Sequence, residues 1–180
     1  MINKRHSFNI IRTVSVFFFM FFCTDIKAQE INYKAYSLYV YNFMKYVDWP
    51  ENQNQGDFII MIFGKSNIEK ELHNLANQKK IRGRNIIVKS THSIDEITNC
   101  QLLYISEEKS PLIKNINTKL NGKGVLVVGE KDGLANKGAS LSFATLDNDE
   151  LSFDINKKVI NQQNLKISAA LLKLGEIVVQ

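Results

Sequence analysis

The chain alternates between two hydrophobic periods. Tyr36, Val40, Phe43 and Val47 recur at spacings of four, three and four, which places them on one face of a helix over 30–47. Pro50 predicts its end, because proline disfavours helical geometry at the residue before it. Phe58 to Phe63 is an unbroken apolar run, short enough for a buried strand. Ser66 predicts the start of the next helix, with Glu69 three residues on completing a capping box. Asn85–Val88 and Leu102–Ile105 read as further strands, and between them Ser93 caps a short turn with Glu96 at its third position. Lys109–Leu120 then reads as a helix and Gly124–Val128 as another buried strand.

After Gly138 the period drops to two. Ala139, Leu141 and Phe143 alternate with Ser140 and Ser142; beyond Asp147-Asn148-Asp149, Leu151, Phe153 and Ile155 alternate with Ser152 and Asp154. That pattern predicts an antiparallel hairpin with one buried face. Ile167, Leu171, Leu174 and Val178 share a helical face and predict a closing helix. No repeat, low-complexity tract or long linker interrupts the sequence. The expected fold class is α/β: a single-domain mixed sheet flanked by helices on both faces, opening with parallel crossover units and ending in the hairpin and the closing helix.

Residues 1–28 follow a different logic. Lys4, Arg5 and Arg12 precede an apolar run from Val14 to Cys23, and Ile26-Lys27-Ala28 offers a cleavage point before Gln29. This is the three-part layout of a secretory signal peptide. The run is about half the length of a spanning helix, which needs roughly 20 apolar residues. Phe22 is too bulky to precede an acylated Cys23. The expected organisation is therefore a signal peptide over 1–28 and one exported domain over 29–180.

Export changes the charge picture. The whole chain has a formal charge of +5, and removing Lys4, Arg5, Arg12 and Lys27 together with Asp25 takes it to +2. A charge this near balance gives little ground for nucleic-acid binding, and no nucleic-acid partner is expected. Cys23 leaves with the signal, so Cys100 has no intrachain partner. Just before Leu102-Leu103-Tyr104-Ile105, it reads as a small buried hydrophobe.

Candidate chemistry is thin. Gly64-Lys65-Ser66 follows a strand and opens a helix, but a phosphate-cradling loop needs an earlier glycine where Ile59 stands. Gly122, Gly124 and Gly129 flank a strand rather than link it to a helix, which does not match a dinucleotide fingerprint. His73 and His92 lack metal-ligand spacing, and no serine sits in a nucleophile elbow. Asp147, Asp149 and Glu150 read as turn residues. No catalytic, cofactor-binding or metal-ligating residue is assigned, and neither enzyme activity nor a cofactor is expected.

Aromatic density stands out instead: Tyr33, Tyr36, Tyr39, Tyr41, Phe43, Tyr46 and Trp49. One helix face cannot bury them all, so some cover another surface, line a groove or meet a partner. A small-molecule-binding module with these rings around its pocket is one reading; a hydrolase of unrecognised type is another.

The sequence resembles the YfiR family of periplasmic proteins from about Tyr33 to Val178. The resemblance rests on Tyr41-Asn42-Phe43-Met44-Lys45-Tyr46-Val47-Asp48-Trp49-Pro50, Phe58-Ile59-Ile60 leading to Gly64, and Arg82-Gly83-Arg84. It continues through Cys100–Ile105, Val125–Gly138, Leu151-Ser152-Phe153-Asp154-Ile155-Asn156 and Ile167–Leu174. The resemblance implies a periplasmic regulator that holds an inner-membrane diguanylate cyclase inactive by binding its periplasmic sensor domain. It further implies an effect on cyclic-di-GMP and biofilm formation, an outer-membrane lipoprotein that withdraws the repressor, and a homodimer. Disulfide sensing known in the family would lack a partner for Cys100. Of the carried positions Tyr41, Asn42, Phe43, Trp49, Pro50, Arg84 and Asn156, all read as structural. Trp49-Pro50 would plug the helix end, Arg84 would bind carbonyls or an acid, and Asn156 would cap or tie the chain after the last strand.

Overall fold

The computed structural model describes residues 31–180, and the expected signal peptide over 1–28 lies outside the described residues. The apolar runs pair into one eight-stranded mixed sheet. In chain order the elements are α1 (Tyr33–Tyr46), β1 (Val47–Asp48), β2 (Phe58–Phe63), α2 (Ile68–Gln78), β3 (Lys80–Ile81) and β4 (Arg84–Thr91). They continue with β5 (Leu102–Ile105), α3 (Ile113–Leu120), β6 (Leu126–Gly129), α4 (Leu134–Lys137), β7 (Leu141–Thr145) and β8 (Leu151–Asn156). The last are α5 (Lys157–Gln162), β9 (Lys166–Ile167), α6 (Ala169–Leu172) and β10 (Glu176–Val179). The sheet runs β10-β8-β7-β6-β5-β2-β4-β3, and β1 pairs separately with β9.

Strands β4, β2, β5, β6 and β7 are parallel, so their carboxyl ends share one edge. β8 returns antiparallel to β7, completing the expected hairpin with Phe143 opposite Phe153. On one sheet face α1 buries Tyr36, Val40 and Phe43. Tyr36 stacks on Phe143 with ring centroids 3.8 Å apart, and Phe43 meets Phe153 edge-on at 4.9 Å. On the other face Met61, Phe63, Leu103, Ile105 and Val127 pack with Ile113, Ile116 and Leu120 of α3 and Leu134 of α4. Helices thus cover both faces.

Several local expectations change. The first helix stops at Tyr46, before Pro50 is reached, because Val47 and Asp48 pair with Ile167 and Lys166. The Ser66–Glu69 capping box does not form. Ser66 accepts from the Ile68 amide at 3.3 Å, but its hydroxyl donates to Glu130 and Glu69 accepts from Ser90 instead. The Ser93 turn is present, with Glu96 taking the Thr91 hydroxyl. The helix expected over 109–120 begins as a 3-10 stretch, Glu107–Leu112, containing Pro111, and becomes α3 beyond it.

The hairpin buries both faces rather than one. Ser140 and Ser142 are buried because their hydroxyls accept from the Val127 and Ala135 amides. The closing helix is also corrected. Ile167 lies in β9, Leu171 in α6 and Val178 in β10, which pairs parallel with β8. Gly175 separates α6 from β10, and a side chain there would run into the Phe153 ring. Ile177, Val178 and Val179 are β-branched and suit a pleated, half-buried surface. Among the described residues no helix is long and apolar enough to cross a membrane.

Candidate functional site

Parallel strands deliver the residues that follow them to one rim, and α/β sheets bind ligands outside those carboxyl ends. Here β2, β5 and β6 lie side by side and lead to Ser66, Ser106 and Glu130. Glu130 is buried. One of its carboxylate oxygens accepts from Ser66 Oγ at 2.6 Å and the other from the Glu107 amide at 2.8 Å. None of the ion pairs among the described residues includes it.

Tyr104, the third residue of β5, points its phenol towards the same place and is 0% exposed, as is Ser106. Neither Tyr104 Oη nor Ser106 Oγ has a hydrogen-bond partner among the described residues. Such groups are uncommon in folded proteins, since an unpaired buried polar atom costs about 1–3 kcal/mol.

The first turn of α1 lies over this cluster. Asn32 caps α1 by accepting from the Ala35 amide at 3.1 Å, which fixes where Tyr33 and Tyr36 emerge. Their rings meet edge-on at 5.9 Å. Burial pushes the Tyr36 phenol up to about 12, with the charges of Glu130, Tyr33 and Asp132 adding to it. Burial raises Tyr104 well above the usual phenol value, reinforced by the charge of Glu130 and by Tyr36. Tyr33 is raised too, first by burial and then by Glu130. All three phenols therefore keep their protons at neutral pH and can donate as well as accept.

Gly64 lets the rim close. Its φ is +94°, and a Cβ there would run into Ser106 Oγ, Lys109 and Glu108.

Trp49, Pro50 and Arg84 gather at the opposite rim. Trp49 is buried edge-on against Phe58 at 5.0 Å and donates from Nε1 to the Gln101 carbonyl at 3.0 Å. Pro50 lies so close to Gly124 that a Cβ on the glycine would sit 2.9 Å from Pro50 Cγ. Arg84 donates to four backbone carbonyls: Gln53 at 3.0 Å, Gln55 at 3.1 Å, Gly56 at 2.7 Å and Asp57 at 2.9 Å. Its guanidinium also covers Phe58 at 5.3 Å. Phe43 is in the core, Asn42 is half-buried beside it on α1, and the Tyr41 hydroxyl reaches the Lys80 carbonyl at 3.5 Å.

Asn156 is buried at the end of β8. It caps α5 by accepting from the Val159 amide at 3.0 Å and donates to the Ala135 carbonyl at 2.7 Å. Asn156→Ala should lower stability by about 1–3 kcal/mol, because it removes a cap and leaves the Ala135 carbonyl without this donor. Chemical denaturation of the two proteins reads this directly.

The aromatics from Tyr33 to Trp49 thus do not line a single pocket: α1 carries the first of them to one rim and Trp49 to the other. Sequence reading passed over Glu130, Tyr104 and Ser106, and considered Ser66 only as part of a failed phosphate loop and as a cap. The available signal was positional: each lies at or just beyond the end of a parallel apolar strand. Cys100 is wholly buried, and burial pushes its thiol up to about 12. Among the described residues no His, Cys, Asp and Glu side chains cluster closely enough to hold a metal ion.

A family model described as YfiR/HmsC-like matches residues 33–176. The chain belongs to the YfiR/HmsC-like family. The match spans α1 through the start of β10, so the residues at both rims fall inside the family domain. The family is one of regulatory, non-catalytic periplasmic proteins that act on diguanylate cyclases. No curated protein matches the chain. Among solved structures, the chain is similar to the ABC domain from Streptococcus pneumonia in complex with L-Trp, at 10% identity and a TM-score of 0.47. That similarity covers 68% of this YfiR/HmsC-like chain and 55% of the other, so the chain spans just over half the length of that protein.

Proposed function

We propose that this chain is an exported regulator that binds the periplasmic sensor domain of an inner-membrane diguanylate cyclase and represses it, lowering cyclic-di-GMP and biofilm formation. The observation that carries this reading is membership of the YfiR/HmsC-like family across residues 33–176. An outer-membrane lipoprotein that withdraws the repressor, and a homodimer as the acting form, belong to the same reading. So does cleavage after Ala28, which would leave Gln29 as the first residue of the exported protein.

The contact surface in this reading lies on the outer side of α1. Leu38 is 55% exposed there, beside a groove of about 490 Å³ between α1 and α2 that Tyr41 and Leu75 help to line. Lys34, Glu71 and Lys79 give its margin charges of both signs. An apolar centre with a polar rim is the usual anatomy of a protein-binding patch.

Deleting the gene should raise cyclic-di-GMP, and the exported protein should capture the cyclase sensor domain from membrane extract. Leu38→Glu should abolish capture while leaving thermal stability nearly unchanged, since this side chain is already in water. An unchanged nucleotide level together with no captured cyclase would overturn the proposal.

A further inference from the structure

The rim at the amino ends of β2 and β5 holds a cavity of about 490 Å³, whose chemistry repression by surface contact does not use. Side-chain amides dominate its wall. Gln101 and Gln53 form the fixed part. Gln101 is buried, donates from Nε2 to Gln53 Oε1 at 2.9 Å and accepts from the Ile59 amide at 2.7 Å. Gln53 Nε2 in turn donates to the Lys123 carbonyl at 2.9 Å. Asn52, Gln55 and Asn99 form the unspent part: all three are exposed, and their amides bond to no other described residue. The loop that carries Asn52 and Gln55 is held in place on both sides. Arg84 grips four of its carbonyls, and Asn54 Nδ2 donates to the Trp49 carbonyl at 3.1 Å. A wall positioned in advance lowers the ordering cost of binding.

We propose that this cavity binds a neutral saccharide. Each carboxamide offers donors and an acceptor side by side, and each sugar hydroxyl both accepts and donates, so three unspent amides around one space match a ligand rich in hydroxyls. Ile59, half-buried in the wall, gives the C–H face of a sugar ring an apolar surface to rest on. The volume falls within the range of about 300–1,000 Å³ usual for small-molecule sites. Charge argues against an acid, because no lysine, arginine or histidine lines the cavity. It gives a cation little either. Asp57 is the one charged residue in the wall, it is exposed, and one of its oxygens already accepts from Asn85 at 3.2 Å. An ion pair in water adds little. An apolar ligand would cut the amides off from hydrogen-bond partners, which is costly.

The test titrates D-glucose, N-acetyl-D-glucosamine and maltose into the purified protein, with D-glucuronate as the anionic control. Nitrogen–proton NMR correlation spectra serve as the readout, because they show side-chain amide groups directly. At least one neutral saccharide should move the Asn52, Gln55 and Asn99 amide signals in a saturable way, and glucuronate should bind more weakly than glucose. Gln55→Ala and Asn99→Ala should each weaken saccharide binding by about two- to tenfold, the range expected for losing one neutral hydrogen bond.

Both side chains are exposed and unbonded, so the two variants should melt at the temperature of the unsubstituted protein, and a fall in affinity then reports the site rather than the fold. The absence of a saturable shift with all three neutral saccharides would overturn the proposal. So would shifts confined to other parts of the domain, or saccharide binding that the double variant Gln55→Ala, Asn99→Ala leaves unchanged. Glucuronate binding as tightly as glucose would also overturn it, by showing that the cavity does not select for a neutral ligand. The cyclase reading is unaffected by any of these results, since capture of the sensor domain is measured separately.

Discussion

Trp49→Ala should destabilise the domain by about 3–5 kcal/mol, the cost usual for emptying a buried tryptophan site. Trp49 is 6% exposed, fills the space under the entry to β2, and donates to the Gln101 carbonyl immediately before β5. Removing it opens a cavity beside Phe58 and frees the Gln101 carbonyl from its indole donor. Against a total stability of about 5–15 kcal/mol for a domain, the loss leaves little margin. Trp49→Phe separates the two effects. It keeps an aromatic ring against Phe58 but loses the indole N–H, so it should cost less than the alanine variant, with about 1 kcal/mol from the hydrogen bond. Urea unfolding of the three proteins measures both steps. A Trp49→Ala midpoint within about 1 kcal/mol of the unsubstituted protein would show that this rim collapses to fill the gap.

Gly64→Ala should cost about 2–5 kcal/mol through a different mechanism. Part is backbone strain, about 1–2 kcal/mol, because φ at this position is +94°. The rest is overpacking, about 1–3 kcal/mol, because the new methyl group would run into Ser106 Oγ, Lys109 and Glu108. Gly122→Ala is the matched control. Its φ is +68° and no atom lies within 4 Å of the added carbon, so it bears the strain alone. Equal losses in the two variants would mean that Ser106 and Lys109 yield freely. A larger loss at Gly64 measures how tightly the carboxyl rim is built.

The sheet was legible because its signals are local. Phe58–Phe63 and Leu102–Ile105 are continuous apolar runs, and Leu151, Phe153 and Ile155 alternate cleanly, so each strand declares itself within six residues. The errors came where distant chain decides. Nothing near Val47 announces that Lys166 and Ile167 will pair with it and end the helix early. Ile167, Leu171, Leu174 and Val178 do satisfy a helical period, but β8 offers an open edge that takes Glu176–Val179 as a strand. Ser66 has the local form of a capping residue, yet Glu130, from a strand two places away in the sheet, takes its hydroxyl. The family positions were read from a resemblance, and their partners became visible only when Arg84 and the carbonyls of Gln53 to Asp57 were brought together. The carboxyl rim was missed for the same reason. Its four polar residues come from three separate stretches and share no motif.

The contact between α1 and the hairpin also sets a clock on folding. Tyr39 hydrogen-bonds the Leu151 carbonyl across 112 residues of chain, and Phe43 closes on Phe153 in the same layer. Synthesis at about 5–20 residues per second therefore delivers the apolar face of α1 roughly 6–20 seconds before the strand that covers it. During that interval Tyr36 and Phe43 lack the hairpin rings they pack against, and contacts this distant in sequence form slowly in any case. The helix that opens the domain is thus among the last pieces to be sealed, and a chaperone that shields it in the meantime would act on the step most exposed to aggregation.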